Sequence, residues 1–259
     1  MRIAVCIKQV PTSNEVLMDP ETKTIIRDGK NSVINPYDSF AVEEAISIKE
    51  KTNAEVVAIT MGIPEAESIL RDSIARGVDR GMLLSDRNFA GADTLATSYT
   101  LSLGIYKLGE FDIILCGKLA IDGDTSQIGP ELAEHLGVPH VTDVEGFIEV
   151  DEKMVLCKKN DGNSTKILEV KLPALFTINK DINNPRMPSI AGVLRSLESS
   201  IEMHDSNSLN ADERKIGLNG SPTQVVRTFM PESEKVVHTI SGGTKTQSLQ
   251  ILSTIKEVI

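Results

Sequence analysis

Aromatic residues and positive charge are both scarce in this chain of 259 residues. It has no tryptophan and three tyrosines, so aromatic surfaces on which nucleic-acid bases could stack are rare. Lysine and arginine number 27 against 37 aspartates and glutamates, which gives a net charge of -10. This balance argues against nucleic acid or an anionic membrane as the main partner, and an acidic surface that serves only solubility is the simpler explanation.

Long apolar runs and metal-ligand patterns are missing as well. No segment is apolar over the length that crosses a bilayer and the start shows no signal-peptide pattern, so we expect a cytoplasmic protein without membrane insertion. The three cysteines, Cys6, Cys116 and Cys157, form no CxxC pair, and the four histidines have no metal-ligand spacing. Neither an iron–sulfur cluster nor a zinc site therefore has its ligands.

The common catalytic motifs are also absent. The sequence has no nucleophile elbow, Walker loop, GxGxxG or HExxH. Asp122 and Asp124 are close in sequence, but carboxylates in a glycine-containing loop more often shape turns than share a proton. No acid–base pair can be assembled, which favours a carrier or binding subunit and leaves enzymatic activity undecided.

The first half of the chain has a regular alternation of strand and helix patterns. Apolar runs predict strands at Arg2 to Ile7, Ala54 to Thr60, Gly81 to Leu84 and Phe111 to Cys116. Amphipathic or capped segments that follow them predict helices. The alternation predicts an α/β fold with a doubly wound, mostly parallel sheet and a nucleotide pocket at the carboxyl ends of its strands.

The pattern changes after Pro139. Three alternating segments, at residues 141–150, 153–159 and 165–170, predict an antiparallel addition at one edge of the sheet. Pro173 to Ile178 then predicts a return to a core strand, because this run is again apolar throughout.

Residues 199–259 are predicted to form a separate part. Residues 199–224 are polar with little periodicity, and residues 244–259 have the pattern of an amphipathic helix. We therefore expect an α/β nucleotide-binding domain at 1–198 and, at 199–259, an extended arm with a C-terminal helix. A terminal helix of this kind packs either on another subunit or back on its own domain.

The rest of the predicted fold is organised around the stretch from Phe111 to Gly137. It predicts a strand that ends at Cys116, a long turn that begins at Gly117, and a helix that begins near Gly129. The turn is rich in small residues, hydroxyls and backbone donors and leads into a helix N-terminus, where α/β proteins hold phosphates. The alternative is an ordinary βα loop, because a glycine-rich loop alone is weak evidence.

Other loops are predicted to meet this one at the same edge of the sheet. Cys6, Asn35, Met61, Asp93 and Asp122 all fall at or just past the carboxyl ends of predicted strands. Parallel pairing brings these ends together. The convergence favours a nucleotide pocket more strongly than any single loop does.

Two hydroxyls and one long polar segment are further candidates. Thr94 and Thr97 lie three residues apart at a predicted helix start, so they share a face and could present hydroxyls to a ligand. The alternative is that Asp93, Thr94 and Thr97 cap backbone donors of that helix. Lys8 to Ser32 is irregular and polar, and the length of such a segment suggests a function.

Three segments, in this order and spacing, resemble one protein family over essentially the whole chain. They are Asn35-Pro36-Tyr37-Asp38 with the following AVEEA, then CGKLAIDGDTSQIGP at Cys116 to Pro130, then LPALFTINKDINNPRMPSI at Leu172 to Ile190. On these segments the chain resembles the beta subunit of electron transfer flavoproteins. Leu119 is a departure, since many members have Gln there.

The resemblance implies a heterodimer and a nucleotide site. In this family the alpha subunit holds the FAD that exchanges electrons with partner dehydrogenases, and the beta subunit binds either a structural AMP or a second FAD. The residues expected around the adenine and ribose are Cys6, Asn35, Pro36, Tyr37, Asp38, Met61 and Gly62. The residues expected around the phosphates are Gly117, Lys118, Ala120, Ile121, Asp122, Gly123, Asp124, Thr125, Ser126, Gln127 and Ile128.

Two segments resemble one branch of the family in particular. Gly91 to Thr97 and Ser221 to Pro231 are similar to the electron-bifurcating members of anaerobic bacteria. The likeness implies FAD in this chain and NADH as electron donor. It implies ferredoxin or flavodoxin as one acceptor and, through the alpha-subunit FAD, an acyl-CoA dehydrogenase-type enoyl-CoA reductase as the other. Thr94 and Thr97 would then serve the extra diphosphate and riboflavin, and Asp93 is expected among the cofactor-binding residues.

Partner contacts are implied by the same resemblance. A branched apolar residue after the LPA strand anchors the dehydrogenase in this family, and Ile190 occupies that place. The C-terminal arm is expected to embrace the alpha subunit. Two alternatives stay open: a non-bifurcating beta subunit with a structural AMP, and a stand-alone adenine-nucleotide-binding protein of the universal-stress type.

Overall fold

The computed structural model describes residues 1–12, 32–226 and 239–258, which belong to two units, Met1–Gln224 and Val225–Ile259. The strands of the first unit are β1 (Arg2–Cys6), β2 (Gln9–Pro11), β3 (Ser32–Ile34), β4 (Glu55–Met61), β5 (Arg80–Leu84), β6 (Ile113–Gly117), β7 (His140–Val150), β8 (Met154–Asn160), β9 (Thr165–Lys171), β10 (Ala174–Ile178) and β11 (Ile201–His204). Its helices are α1 (Pro36–Thr52), α2 (Glu67–Arg76), α3 (Thr94–Leu108), α4 (Ile128–Leu136) and α5 (Ile190–Glu198). The second unit contains α6 (Thr244–Val258).

Nine strands form one sheet in the order β11-β5-β4-β1-β6-β10-β7-β8-β9. The strands from β11 to β7 are parallel, and β8 and β9 extend the sheet by antiparallel pairing. The chain starts at β1, proceeds outward through β4 and β5, and then returns to β6 on the other side of β1. The strand order therefore reverses between β1 and β6, where doubly wound sheets leave a crevice for ligands.

Helices cover both faces of the parallel part of the sheet. α1 and α2 pack on one face, through Ile46 and Ile74 among others, and α3 and α4 pack on the other, through Leu101 and Leu132. Successive side chains of β1 alternate between these two layers of core. A strand that is buried on both faces has no polar side, which explains the unbroken apolar run Ile3–Cys6.

These features confirm the predicted α/β fold, with its mostly parallel sheet and an antiparallel addition at one edge. Three strands were not predicted. β2 and β3 form a separate antiparallel pair beside the start of α1, and β11 joins the far edge of the sheet next to β5. Each of these strands is three or four residues long, too short for a periodic pattern to identify it.

The first unit extends further than the predicted boundary at 198/199. β11 pairs with β5, and the residues after it bury Leu209 and Ile216 against the α3 side of the sheet. Asp86 accepts hydrogen bonds from the backbone N–H of Ser206 (2.9 Å) and from its hydroxyl (2.5 Å). A polar segment without periodicity becomes ordered here because another part of the chain satisfies its hydrogen bonds. Packing of the C-terminal part on a second subunit stays a prediction.

Some predicted segments lie outside the described residues. Residues 13–31, which make up most of the polar segment from Lys8 to Ser32, and residues 227–231 of the branch-like segment belong to this group. Among the helices that the structure describes, none combines the length and the hydropathy that a bilayer crossing requires.

Candidate nucleotide site

The segment from the last residue of β6 to the first residue of α4, residues 117–128, lies between two groups of polar residues at the carboxyl edge of the sheet. Here it is called the β6–α4 loop. Its first half contacts the start of α1, and its last residues contact the start of α3. The loop thus contacts both Asn35 and Thr94, which are far apart in sequence, as expected if the strand ends converge.

Asn35 fixes the first half of the loop. Its side chain is 1% exposed, its Nδ2 donates to the carbonyl of Leu119 (2.8 Å), and its Oδ1 accepts from the N–H of Ile121 (3.2 Å). Its own N–H donates to the carbonyl of Lys8 (2.8 Å). Asn35 therefore uses both ends of its amide to hold the loop, and the side chain at position 119, a departure from the family pattern, does not enter this contact.

Asp38 lies in the first turn of α1 and connects β1 to β6. Its Oδ2 accepts from the N–H of Lys8 (2.7 Å), and its Oδ1 lies so close to Gly117 that a Cβ there would be 2.2 Å away. Only glycine fits at 117. Burial raises the pKa of Asp38 to about 7, although hydrogen bonds from Asn35, Lys8 and Gly117 act in the opposite direction.

The other residues expected around adenine and ribose lie at or near the ends of β1 and β4 and in the first turn of α1, and they differ in how deeply they are buried. Cys6 is 6% exposed and is the register partner of Cys116, so both thiols belong to the core at the point where the strand order reverses. Met61 is half-buried at the end of β4, and Gly62 donates from its N–H to the carbonyl of Leu84 (3.0 Å). Pro36 is exposed and Tyr37 is half-buried in the first turn of α1.

The middle of the β6–α4 loop is open to solvent. A turn brings the N–H groups of Gly123 and Asp124 to the carbonyl of Ala120, at 3.2 and 2.8 Å. Asp124 and Ser126 adopt positive φ, 49° and 56°. The amides of residues 125–127, which lead into α4, have no acceptor among the described residues. Unpaired amides at a helix start are the usual means of holding an anion.

Both lysines near the loop already have carboxylate partners. Lys8 Nζ is 2.7 Å from Asp122 Oδ1, and Lys118 Nζ is 2.8 Å from Asp143 Oδ2. Asp143 has φ 63° within a bulge of β7. The exposed amides, rather than a free ammonium group, are therefore the donors that this loop offers to an anion.

The start of α3 forms the second group. Asp93 caps the helix by accepting from the N–H of Ala96 (3.1 Å), so the capping alternative holds for Asp93. Thr94 does not cap: its Oγ1 is 3.3 Å from Gln127 Oε1 and 3.0 Å from Glu131 Oε1. The hydroxyl of Thr97 has no hydrogen-bond partner among the described residues, which leaves it available to a ligand.

Two residues of the site were missed in the sequence. Glu131 lies in the first turn of α4 beside Thr94, and burial raises its pKa, while the hydrogen bond from Thr94 acts in the opposite direction. Lys8 contacts Asp38 through its backbone and Asp122 through its side chain. Nothing in local sequence identifies such contacts, because the partners are 30 to 114 residues apart.

Ile190 lies apart from these groups. It is the first residue of α5, which packs on α2, and its side chain is 84% exposed. Among the described residues, no three or more His, Cys, Asp or Glu side chains form a group that could hold a metal ion.

The open doubly wound sheet, with a glycine-containing loop where its strand order reverses, is of the α/β class in which a ligand, where one binds, lies beyond the carboxyl ends of the strands. The family model for the electron transfer flavoprotein domain matches residues 22–205. The chain therefore belongs to the electron transfer flavoprotein family, and its relatives show that it is of the beta-subunit type. Proteins of this type act in electron transfer and pair with an alpha subunit.

Three similar proteins illustrate the relationship. An electron transfer flavoprotein subunit beta of Thermoanaerobacterium thermosaccharolyticum is 45% identical over 246 residues, which cover 95% of this chain and 94% of that protein. The caffeyl-CoA reductase-Etf complex subunit CarD of Acetobacterium woodii is 42% identical, with coverage of 99% and 98%. Protein FixA of Azorhizobium caulinodans is 40% identical, with coverage of 90% and 85%.

The raised pKa of Asp38 predicts a pH-dependent contribution to stability. The folded state keeps this proton up to about pH 7, and the unfolded chain loses it near 3.8, so the free energy of unfolding falls as the pH rises between these values. We expect Asp38→Asn to remove this decline, which is on the order of a few kcal/mol. Urea unfolding at several pH values from 4.5 to 7.5 measures the difference between wild type and variant.

Asp181→Asn serves as the control, because it removes an exposed carboxyl from a loop of the same unit. If the stability of the Asp38→Asn variant runs parallel to that of wild type across this range, burial does not hold the proton on Asp38.

Proposed function

We propose that this chain binds FAD and acts as the NADH-oxidising subunit of an electron-bifurcating electron transfer flavoprotein. The observation that supports FAD most directly is the second polar group at the end of the β6–α4 loop. It consists of the hydroxyls of Thr94 and Thr97 and the side chains of Gln127 and Glu131. The first group, around Asn35 and Asp38, contains the residues expected around adenine and ribose, which AMP and FAD share.

The residues present fit a dinucleotide. The amides of residues 125–127 provide donors for phosphate oxygens, and the helix dipole of α4 favours negative charge at the same place. Beyond the phosphates, FAD carries a ribityl chain with several hydroxyls, whereas AMP has nothing further. A cluster of hydroxyl, amide and carboxylate groups matches the hydroxyls of a ribityl chain, because it can both donate and accept hydrogen bonds.

Glu131 makes this fit conditional on a rearrangement. Its carboxylate accepts a hydrogen bond from the hydroxyl of Thr94 (3.0 Å). A diphosphate bound beside this carboxylate would bring further negative charge close to it. Burial raises the pKa of Glu131, which is the direction that makes its neutral form easier to reach beside an anion. Thr94 and Glu131 would then bond to the ligand as well as to each other.

A bound FAD would accept a hydride from NADH and release electrons singly to two acceptors. We propose ferredoxin or flavodoxin as the low-potential acceptor. The other acceptor, reached through the alpha-subunit FAD, is an acyl-CoA dehydrogenase-type enoyl-CoA reductase. The name of the Acetobacterium relative, a subunit of a caffeyl-CoA reductase-Etf complex, supports a CoA-ester reductase as partner. We propose that the residues of this chain bind and orient the cofactor and take no acid–base role themselves.

The nucleotide content of the heterodimer tests this function. We expect two FAD molecules per heterodimer when the chain is co-expressed with its alpha subunit, acid-extracted and analysed chromatographically. Reduction of ferredoxin by NADH is then the activity to measure. One FAD and one AMP would instead make the chain a structural nucleotide-binding subunit and remove NADH from the proposal.

The two threonines of α3 test where the second half of FAD lies. Thr94→Val with Thr97→Val removes both hydroxyls and keeps side-chain shape, so we expect flavin content to fall toward one FAD per heterodimer. Thr100→Val is the matched control, because its hydroxyl lies on the same helix and bonds only to the carbonyl of Ala96. Full flavin content in the double variant would exclude these hydroxyls from the site.

Helix α5 presents the surface proposed to dock the dehydrogenase. Ile190, Leu194 and Leu197 are 84%, 58% and 66% exposed, and their i, i+4, i+7 spacing places them on one face. Met187, which is 83% exposed, precedes them in the chain. We call these four residues the α5 patch, and we propose Ile190 as its anchor. Apolar patches on soluble proteins commonly mark sites of protein interaction.

Ile190→Ala tests the anchor. Because this side chain is mostly exposed, its truncation leaves the core intact, and we expect an unchanged nucleotide content. Loss of a buried interface anchor typically costs more than 1 kcal/mol, so the KM for the dehydrogenase should rise by about tenfold. Ile167→Ala, on the exposed edge strand β9, is the control. Equal rates for wild type and Ile190→Ala would remove Ile190 as an anchor.

A further inference from the structure

The guanidinium of Arg186 pairs with the carboxylates of both Glu43 and Glu50, and its backbone N–H also bonds to Glu43. No step of the proposed electron transfer uses this arginine. Its Nε and Nη2 lie 2.9 to 3.1 Å from the carboxylate oxygens of Glu43. Its Nη1 and Nη2 lie 2.5 and 3.1 Å from those of Glu50. Glu43 and Glu50 are seven residues apart on α1, so one guanidinium spans two turns of that helix.

The backbone around Arg186 is held by the same helix. Its N–H donates to Glu43 Oε2 (2.9 Å). Three residues earlier, Asn183 Nδ2 donates to the carbonyl of Phe40 (3.1 Å) and to Glu44 Oε2 (3.0 Å). Residues 179–189 contain no helix or strand, so these contacts, rather than a regular backbone ladder, determine where the segment lies.

The segment leads directly into the α5 patch. Met187 follows Arg186, and Ile190 begins α5. α5 itself is held on α2: Arg195 Nη2 donates to the carbonyl of Ile74 (2.6 Å), and a Cβ at Gly192 would lie 2.0 Å from the carbonyl of Ala75. The patch is therefore fixed at its start by α1 and along its helix by α2.

We propose that Arg186 is a positioning residue that orients Met187 and Ile190 for docking of the partner dehydrogenase. The inference rests on the docking role proposed for the α5 patch. Glu43 and Glu50 act as the fixed counter-charges, and α1 is the rigid element that carries them. Isolated surface ion pairs contribute little to stability, but a guanidinium that is bidentate to two carboxylates restricts geometry as well. The hydrogen bond from Arg186 also holds the pKa of Glu50 below its usual range.

The test measures electron transfer from the intact heterodimer as a function of dehydrogenase concentration. We expect Arg186→Gln to raise the KM for the dehydrogenase at least fivefold, with kcat at saturation and the flavin content unchanged. Arg186→Lys should remain impaired, because a single ammonium group cannot bridge both carboxylates. Arg214→Gln is the matched control, since that arginine is 88% exposed and pairs only with Asp212.

Glu43→Gln separates positioning from direct contact with the partner. The side chain of Glu43 is 12% exposed, so it offers little surface to a docked protein, whereas that of Arg186 is 33% exposed. If Arg186 acts by position, Glu43→Gln raises the KM in the same way, and the double variant is no worse than Arg186→Gln alone. A normal KM in Glu43→Gln, or additive effects in the double variant, would overturn the inference.

The Ile190→Ala variant distinguishes failure of the positioning role of Arg186 from failure of the docking proposal. A raised KM in Ile190→Ala together with a normal KM in Arg186→Gln contradicts only the positioning role. A normal KM in Ile190→Ala contradicts docking through the α5 patch, and the positioning role is then overturned with it. Thermal unfolding of each variant checks that the fold is intact.

Discussion

The contact of Asp38 with the ends of β1 and β6 is the constraint on which the candidate site depends. The strand order reverses between these two strands, and the buried carboxylate of Asp38 bonds to the N–H of Lys8 just past β1 and lies against Gly117 at the end of β6. This contact requires glycine at 117 and brings the first turn of α1 onto the edge of the sheet. Asn35, three residues earlier, then reaches the backbone of the β6–α4 loop.

The β6–α4 loop has two sides of different character. On the side of Asn35 and Asp38 the polar groups are buried and already satisfied, so this side fixes the loop rather than offering many free donors. On the side of Thr94 and Thr97 the groups are partly exposed, and one hydroxyl has no partner among the described residues. A rigid side next to an adaptable one is the arrangement expected where part of a ligand is held by backbone amides and part by side chains.

Sequence patterns predicted the elements whose signal is local. The strands of the parallel sheet are apolar runs, and the helices show amphipathic spacing or caps, so each could be identified from neighbouring residues. β11 is four residues long, and the segment after it is ordered by contacts such as that between Asp86 and Ser206, which are 120 residues apart. Asn35 contacts the β6–α4 loop at the edge where the strand ends were expected to converge, and the cofactor-binding roles of the loop residues stay predictions. The contacts of Lys8 and Glu131 depend on folding and have no local signature.

Helix α1 connects the candidate site to the α5 patch. Its first turn carries Asp38 at the edge of the sheet, and its later turns carry Glu43 and Glu50, which hold the segment before Ile190. Seventeen residues of continuous helix, with Ile46 and Ile48 in the core, leave little freedom between these positions. A bound nucleotide and a docked dehydrogenase would therefore be positioned by one buried helix. Substitutions on the outer face of α1 should then alter docking and leave nucleotide binding intact, whereas substitutions in its first turn should alter both.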